Sequence, residues 1–218
     1  MFQFLRELAA NNDRAWFEAQ RARYESAVKG PLLSFIGDFA GELAKISPNF
    51  VADPRPSGGS MFRIYRDTRF AKDKSPYKTH AAAHFRHASA KDVHAPGFYL
   101  HLAPEECLLG VGIWQPDSPT LGKIRDGIVS RPKDYERATE SLEKKGWALR
   151  GESLTRVPRG YAVDHPLADA LKRKDHTAMI NLDSAEVTGP GFLELVAKSF
   201  KEAHPYAAFL AQTLGLEA

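Results

Sequence analysis

From Pro31 onward the apolar positions Leu32, Phe35, Ile36, Phe39, Leu43 and Ile46 recur with the 3.6-residue period of a core-facing helix. Pro31 suits the first helical position, where its missing N–H leaves no bond unmade. Upstream, the string FQFLRELAANNDRAWFEAQRARYESAVKGP predicts a short helix, an N-cap at Asn12 or Asp13, and a second helix running to a glycine C-cap at Gly30. Residues 47–60 concentrate three prolines and two glycines and predict an irregular loop. Beyond it the period shortens to two. Residues 61–65 and 81–85, GFYLHLA from Gly97, and CLLGVGIWQP from Cys107 predict strands, the last two joined as a hairpin through Ala103-Pro104-Glu105-Glu106. In the last strand Cys107, Leu109, Val111 and Ile113 share one face, and Leu108, Gly110, Gly112 and Trp114 the other. Both faces are largely apolar, which predicts an internal strand whose glycines admit a close neighbour.

Helices return at 119–129 and 132–145, each opening with proline, the second closing at Gly146. A second short β patch is expected next: two strands in WALRGESLTRVP, a helix in DHPLADALKRK capped by Asp164 with Pro166 at its start, and a strand in TAMINL. From 188 through Pro190 to about 214 the pattern is helical, with a break at Pro205. Helices flank runs of strands without regular βαβ alternation. The expected fold is therefore α+β, a mostly antiparallel sheet flanked by N-terminal, central and C-terminal helices, in a single domain over 1–218. No internal repeat or low-complexity tract interrupts it.

Composition narrows the class without naming an activity. The chain has 218 residues and a single cysteine, Cys107, so neither an intramolecular disulfide framework nor a multi-cysteine zinc site is open to it. A cytoplasmic protein is expected. Charged residues Arg6, Glu7, Asp13 and Arg14 interrupt the first apolar stretch, and no run of eighteen apolar residues occurs, so neither a signal peptide nor a membrane span is expected. Formal net charge is only +3. Its distribution is uneven: residues 63–78, RIYRDTRFAKDKSPYK, hold six cations against two anions, a net +4 that leaves the remainder of the chain at −1.

The string RDTRFAKDKSPYK at 66–78, with FLRELAANNDRAWF upstream, FYLHL, GVGIWQP followed by LGKIRDGI, and RVPRGYAVDHPLADALKRK at 156–174, resembles the bacterial and fungal family known as domain of unknown function 2461. The resemblance covers nearly the whole chain. It implies one α+β domain and no particular activity. Ala71 stands where the family usually has serine, which argues against a catalytic hydroxyl at that position.

Chemistry must therefore come from the residues. Arg66 and Arg69, with Lys72, Lys74 and Lys78, offer forks and point charges for a phosphorylated or carboxylated small molecule. Arg159 in the PRGY turn, and Lys172 or Lys174, are candidates to join them. An equally weighted alternative makes Arg66, Asp67, Arg69, Asp73 and Lys74 an ion-pair network, with Ser75 and Pro76 setting the turn, or gives the basic face to a protein partner. Single-stranded nucleic acid stacking on Tyr65, Phe70 and Tyr77 is a weaker alternative, since the local charge offers few phosphate contacts.

Five of the histidines, His80, His84, His87, His94 and His101, fall within one stretch. His80 and His84 share a strand face, and His101 would complete a three-nitrogen metal site, yet the spacing matches no metal motif and Asp92 is the only nearby acid. No metal or cofactor is expected. If the chain is an enzyme, which the sequence leaves open, His165 beside Asp164 and Asp67 are the acid–base candidates. Neither G-x-S-x-G, G-x-G-x-x-G nor a P-loop occurs. Trp114, beside Gln115-Pro116, is a candidate pocket wall.

Overall fold

In the computed structural model, which describes residues 1–89 and 95–218, β3 (Cys107–Ile113) is buried along its whole length. It is flanked by β2 (Gly97–Leu102) and β5 (His176–Leu182), which are flanked in turn by β1 (Ala81–Arg86) and β4 (Ala148–Arg150). The order is β1-β2-β3-β5-β4, and every pairing is antiparallel. The fold is α+β, as the mixed periodicity predicts. Ala103 N donates to Glu106 O at 3.0 Å and closes the expected β2–β3 hairpin.

Helices α1 (Phe2–Ala10), α2 (Arg14–Ala19), α3 (Arg21–Tyr24) and α4 (Gly30–Ile46) precede the sheet. Helices α5 (Ser118–Ser130), α6 (Pro132–Glu143) and α7 (Ala168–Lys172) lie between its strands, and α8 (Ser184–Thr188) and α9 (Phe192–Thr213) follow. Register gives the sheet two unlike faces. One carries the cross-strand row Phe85, Phe98, Val111 and Ala178. The Phe200 ring of α9 packs on this row, 4.8 Å from the Phe98 centroid, and Phe39 of α4 packs on Phe85 at 5.0 Å. The opposite face carries His84, Tyr99, Gly110 and Met179 in the parallel row, and among the described residues no helix packs an aromatic ring on it; Phe62, from the segment before β1, meets His84 and Tyr99 there. Among the described residues, no helix is long and apolar enough to cross a membrane.

Several local expectations change. Gly30 does not end a helix: it is αR, and the chain passes through a π-turn at Glu25–Lys29 straight into α4. The wider turn accommodates Pro31, which has no N–H to give, and Gly30 is required because a Cβ there would lie 2.9 Å from Glu25 O. Of the two possible caps, Asp13 accepts from Trp16 N at 2.9 Å. Residues 61–65 form no strand; Met61 meets the sheet edge through an isolated bridge to Ala83, and Tyr65 bridges Tyr77, which precedes β1. The second β patch is absent as a separate unit, because β4 and β5 extend the same sheet. Only one strand forms in WALRGESLTRVP, ending at Gly151 with φ +110. Asp164 does not cap α7; the turn before that helix is closed by Leu167 N donating to His165 Nδ1 at 3.0 Å. Pro205 does not break α9: it sits on the exposed side, while Ala203, Tyr206 and Ala207 around it are buried and hold the helix to the core. The break falls earlier, at Gly189–Gly191.

Candidate functional site

The uncovered sheet face floors a cavity of about 520 Å³. Its depth follows from the sequence of that face. Gly97, Gly110 and Gly112 bring no side chains, so the His84 and Tyr99 rings lie flat over the floor. A Cβ at Gly97 would meet the His84 imidazole, and one at Gly110 would lie 3.3 Å from Tyr99 Cβ. Leu108 and Met179 complete an apolar floor. Phe62, Lys78 and His80 wall the cavity from the segment that enters β1, and Trp114, 54% exposed, stands at the end of β3.

Polar groups gather at one side. The Tyr99 hydroxyl and His101 Nδ1 share a hydrogen bond of 2.9 Å, and the His101 and His80 rings lie 4.4 Å apart. Burial pushes His80 down to about 4, helped by His101 and Lys78, and burial pushes His84 down to about 4, helped by Arg86. His101 is lowered by burial, an effect that Glu106 opposes. These imidazoles are neutral at neutral pH. Burial raises Tyr99 to about 12, so it remains a phenol. The half-buried Lys78 ammonium donates to Arg63 O at 3.1 Å and stands 5.1 Å from the Phe62 ring centroid. Burial, then Arg63, lowers its pKa, and among the described residues no carboxylate pairs with it.

Most of the other cations in this segment are engaged among themselves and their neighbours. Arg66 Nη1 lies 2.5 Å from Asp73 Oδ2 and 3.2 Å from Ser75 O, and Arg69 lies 2.7 Å from Asp67. Lys74 Nζ donates to Thr68 O at 2.9 Å. Lys72 and Arg159 are exposed, and neither lines the cavity. Lys172 pairs with Asp169 and Lys174 with Glu152. Arg69 holds the Asp67 carboxyl at about 2, and the Ser75 hydroxyl and amide, with Arg66, hold Asp73 lower still. Neither acid exchanges a proton near neutral pH. A smaller polar hollow, shared with Lys78 and His80, is lined by Asn12, Arg66 and Ser75.

Thus the structure brings Lys78, His80, His84 and His101 together and leaves Arg69, Lys72, Lys74, Arg159, Asp67 and His165 outside the cavity lining. His87 is elsewhere, bonded through Nε2 to Glu217 O at 2.7 Å. His94 and Asp92 lie outside the described residues. Although three histidines share the cavity, no three His, Cys, Asp or Glu among the described residues are grouped to hold a metal ion. Of the aromatic residues in the basic segment, Tyr77 is buried and stacked on Phe17 at 4.1 Å, and Tyr65 packs on Tyr77, leaving Phe70 as the fully exposed ring. Tyr99, Phe62 and Met179 were not among the site candidates; the alternation in GFYLHL puts Tyr99 and His101 on one face and is the signal that finds the tyrosine.

A family model described as "Conserved hypothetical protein (DUF2461)" matches residues 1–209. No curated protein matches the chain, and no solved structure does.

Proposed function

The chain belongs to the DUF2461 family of conserved hypothetical proteins, whose description carries no activity, and we propose from the cavity itself that it binds a small carboxylated or phosphorylated molecule with a flat apolar body. The observation that carries this reading is Lys78: a half-buried ammonium, with no carboxylate within ion-pair distance among the described residues, in a cavity with an apolar floor whose lining includes the Glu106 carboxylate. A charge so placed lacks a counter-ion, and an anionic group supplies one at little desolvation cost to the protein. The neutral His80 and His101 rings add hydrogen-bonding nitrogens beside it, while Leu108, Met179 and Trp114 receive the apolar body. A volume of about 520 Å³ suits a metabolite-sized ligand. The remaining basic residues serve a different purpose in this reading: Arg66–Asp73 shapes the loop that carries Lys78.

Thermal melts against 2-naphthoate, 1-naphthyl phosphate and the neutral 2-naphthamide test the proposal. A ligand at one hundred times its Kd adds about 2.7 kcal/mol to stability. The two anions are expected to raise the Tm more than the amide, and Lys78→Met to remove the difference. Equal shifts for the amide and the anions, or an unchanged preference in Lys78→Met, overturn it.

A further inference from the structure

We propose that Lys78 is a carbonyl-reactive amine whose Nζ condenses with a 2-oxo acid of apolar side chain seated in the cavity, forming an imine. The inference rests on the binding reading above and names the substrate class of the same site. Three observations converge on it. First, Lys78 differs from the lysines that are held as ammonium by a carboxylate, such as Lys29 with Glu25, Lys172 with Asp169 and Lys174 with Glu152. Its Nζ has a backbone carbonyl, Arg63 O, and the face of Phe62 instead. Second, the half-buried Lys78 lines a mostly apolar, part-open hollow, an environment that favours a lysine shedding its proton and becoming a nucleophile. Burial and the neighbouring Arg63 charge act in that direction. Third, two neutral imidazoles, His80 and His101, line the same cavity with their rings 4.4 Å apart.

The chemistry balances without a further reactant. The amine lone pair attacks the carbonyl carbon, forming the C–N bond, and one amine proton passes to the former carbonyl oxygen. The nitrogen lone pair then expels the hydroxyl, which takes up the proton the ammonium shed and departs as water, and the remaining N–H stays on a protonated imine. A neutral imidazole, His80 or His101, accepts the proton the ammonium sheds and, as imidazolium, delivers it to the departing hydroxyl. The protonated imine keeps its positive charge next to the substrate carboxylate, so the complementarity that brought the anion in survives bond formation. An apolar side chain on the oxo acid occupies the floor formed by Leu108 and Met179.

The experiment is reductive trapping of the full chain with 2-oxo-3-phenylpropanoate and cyanoborohydride, followed by peptide mass mapping, with Lys72 and Lys74 as internal references in the same segment. Lys78 is expected to be labelled several-fold faster than either, and 2-naphthoate is expected to protect it. His80→Gln is expected to slow trapping. Labelling of Lys78 no faster than the exposed Lys72 and Lys74 overturns the inference. The non-carbonyl 3-phenylpropanoate separates the two levels. If it stabilises the wild-type chain but not Lys78→Met while trapping fails, the binding site stands and the imine falls. If it stabilises neither, the binding reading falls, and preferential labelling of Lys78 decides the amine's reactivity separately.

Discussion

The Asn12 carboxamide stands to Tyr77 as a neighbouring strand would: Nδ2 donates to Tyr77 O and Oδ1 accepts from Tyr77 N, each at 3.0 Å. One side chain from the α1–α2 turn thereby satisfies both backbone groups of the residue next to Lys78. Phe17 stacks on the Tyr77 ring from the same direction. The cavity wall is thus fastened to the N-terminal helices.

Asn12→Ala leaves both Tyr77 backbone groups without that partner and is expected to cost about 1–3 kcal/mol in urea unfolding. Asn12→Asp keeps the acceptor and loses the donor, and should fall between. Because Lys78 and His80 follow Tyr77 directly, both variants should also weaken the response to 2-naphthoate. A full ligand response in a destabilised Asn12→Ala would show that the wall holds its place without this anchor.

Two glycines separate required from incidental backbone freedom. Gly112 has φ +124, and a Cβ there would lie 2.0 Å from the His176 carbonyl oxygen across the β3–β5 ladder. Gly112→Ala is expected to cost about 3 kcal/mol or more, or to prevent folding, since strain and a displaced strand add. Gly122, inside α5, has nothing within 4 Å of its Cβ position. Gly122→Ala is expected to stabilise by about 0.5–1 kcal/mol through helix propensity. Equal effects at the two sites, read from denaturation midpoints, would contradict the geometry at β3.

What the sequence made legible follows from where its signals are local. Strand β3 announces itself because both of its faces are apolar, and the Gly110 and Gly112 readings hold because only close packing explains glycine in such a strand. Pro205 misleads, since the cost of a missing N–H is set by whether the orphaned carbonyl faces water, and here the buried Tyr206 and Ala207 decide the helix. Residues 61–65 carry strand-like residues, but their pairing depends on an edge at β1 that no local pattern reveals. For the site, charge density pointed to the 63–78 segment, yet two of its six cations are spent within the segment: Arg66 on Asp73 and Arg69 on Asp67. Lys78 is singled out by burial and by the lack of a carboxylate partner, properties of the fold.

The two acidic partners in this loop are unequal. Asp73 accepts from Ser75 N at 2.9 Å, from Ser75 Oγ at 2.6 Å and from Arg66 at 2.5 Å, organising the turn before Tyr77. Arg69, 77% exposed, meets Asp67 in water, where an ion pair contributes little. Asp73→Ala is expected to lower the unfolding midpoint and to weaken 2-naphthoate binding, and Arg69→Ala to change neither. A loss of ligand response in Arg69→Ala with unchanged stability would return the arginine to the binding site.

Buried histidines set the acid limit of the fold. Burial, the largest cause in each case, holds His176 at about 3 and His80 and His84 at about 4, all below the ordinary 6.5. Arg173 and Arg125 push His176 further down and Asp175 opposes them, while neither ring nitrogen has a hydrogen-bond partner among the described residues. Below pH 6.5 the unfolded chain takes up protons at these positions and the folded chain does not, so stability is complete above pH 6.5 and falls as the pH drops toward 4. Each refused proton adds about 1.4 kcal/mol per pH unit to the slope. Below about 4, His80 and His84 protonate in the folded chain as well, and only His176 continues to destabilise, down to about 3. Asp67 and Asp73 act in the same direction below their ordinary value of 3.8, and Glu7 and Glu18, lowered by Arg23 and Arg21, below theirs of 4.5, so the span from 6.5 to about 4.5 belongs mainly to the histidines. Urea unfolding of His176→Leu across this span should therefore show a slope shallower by about 1.4 kcal/mol per pH unit, whatever its stability at pH 7. A slope equal to that of the unmodified chain would mean that His176 accepts its proton in the folded state, which the packing around both ring nitrogens argues against.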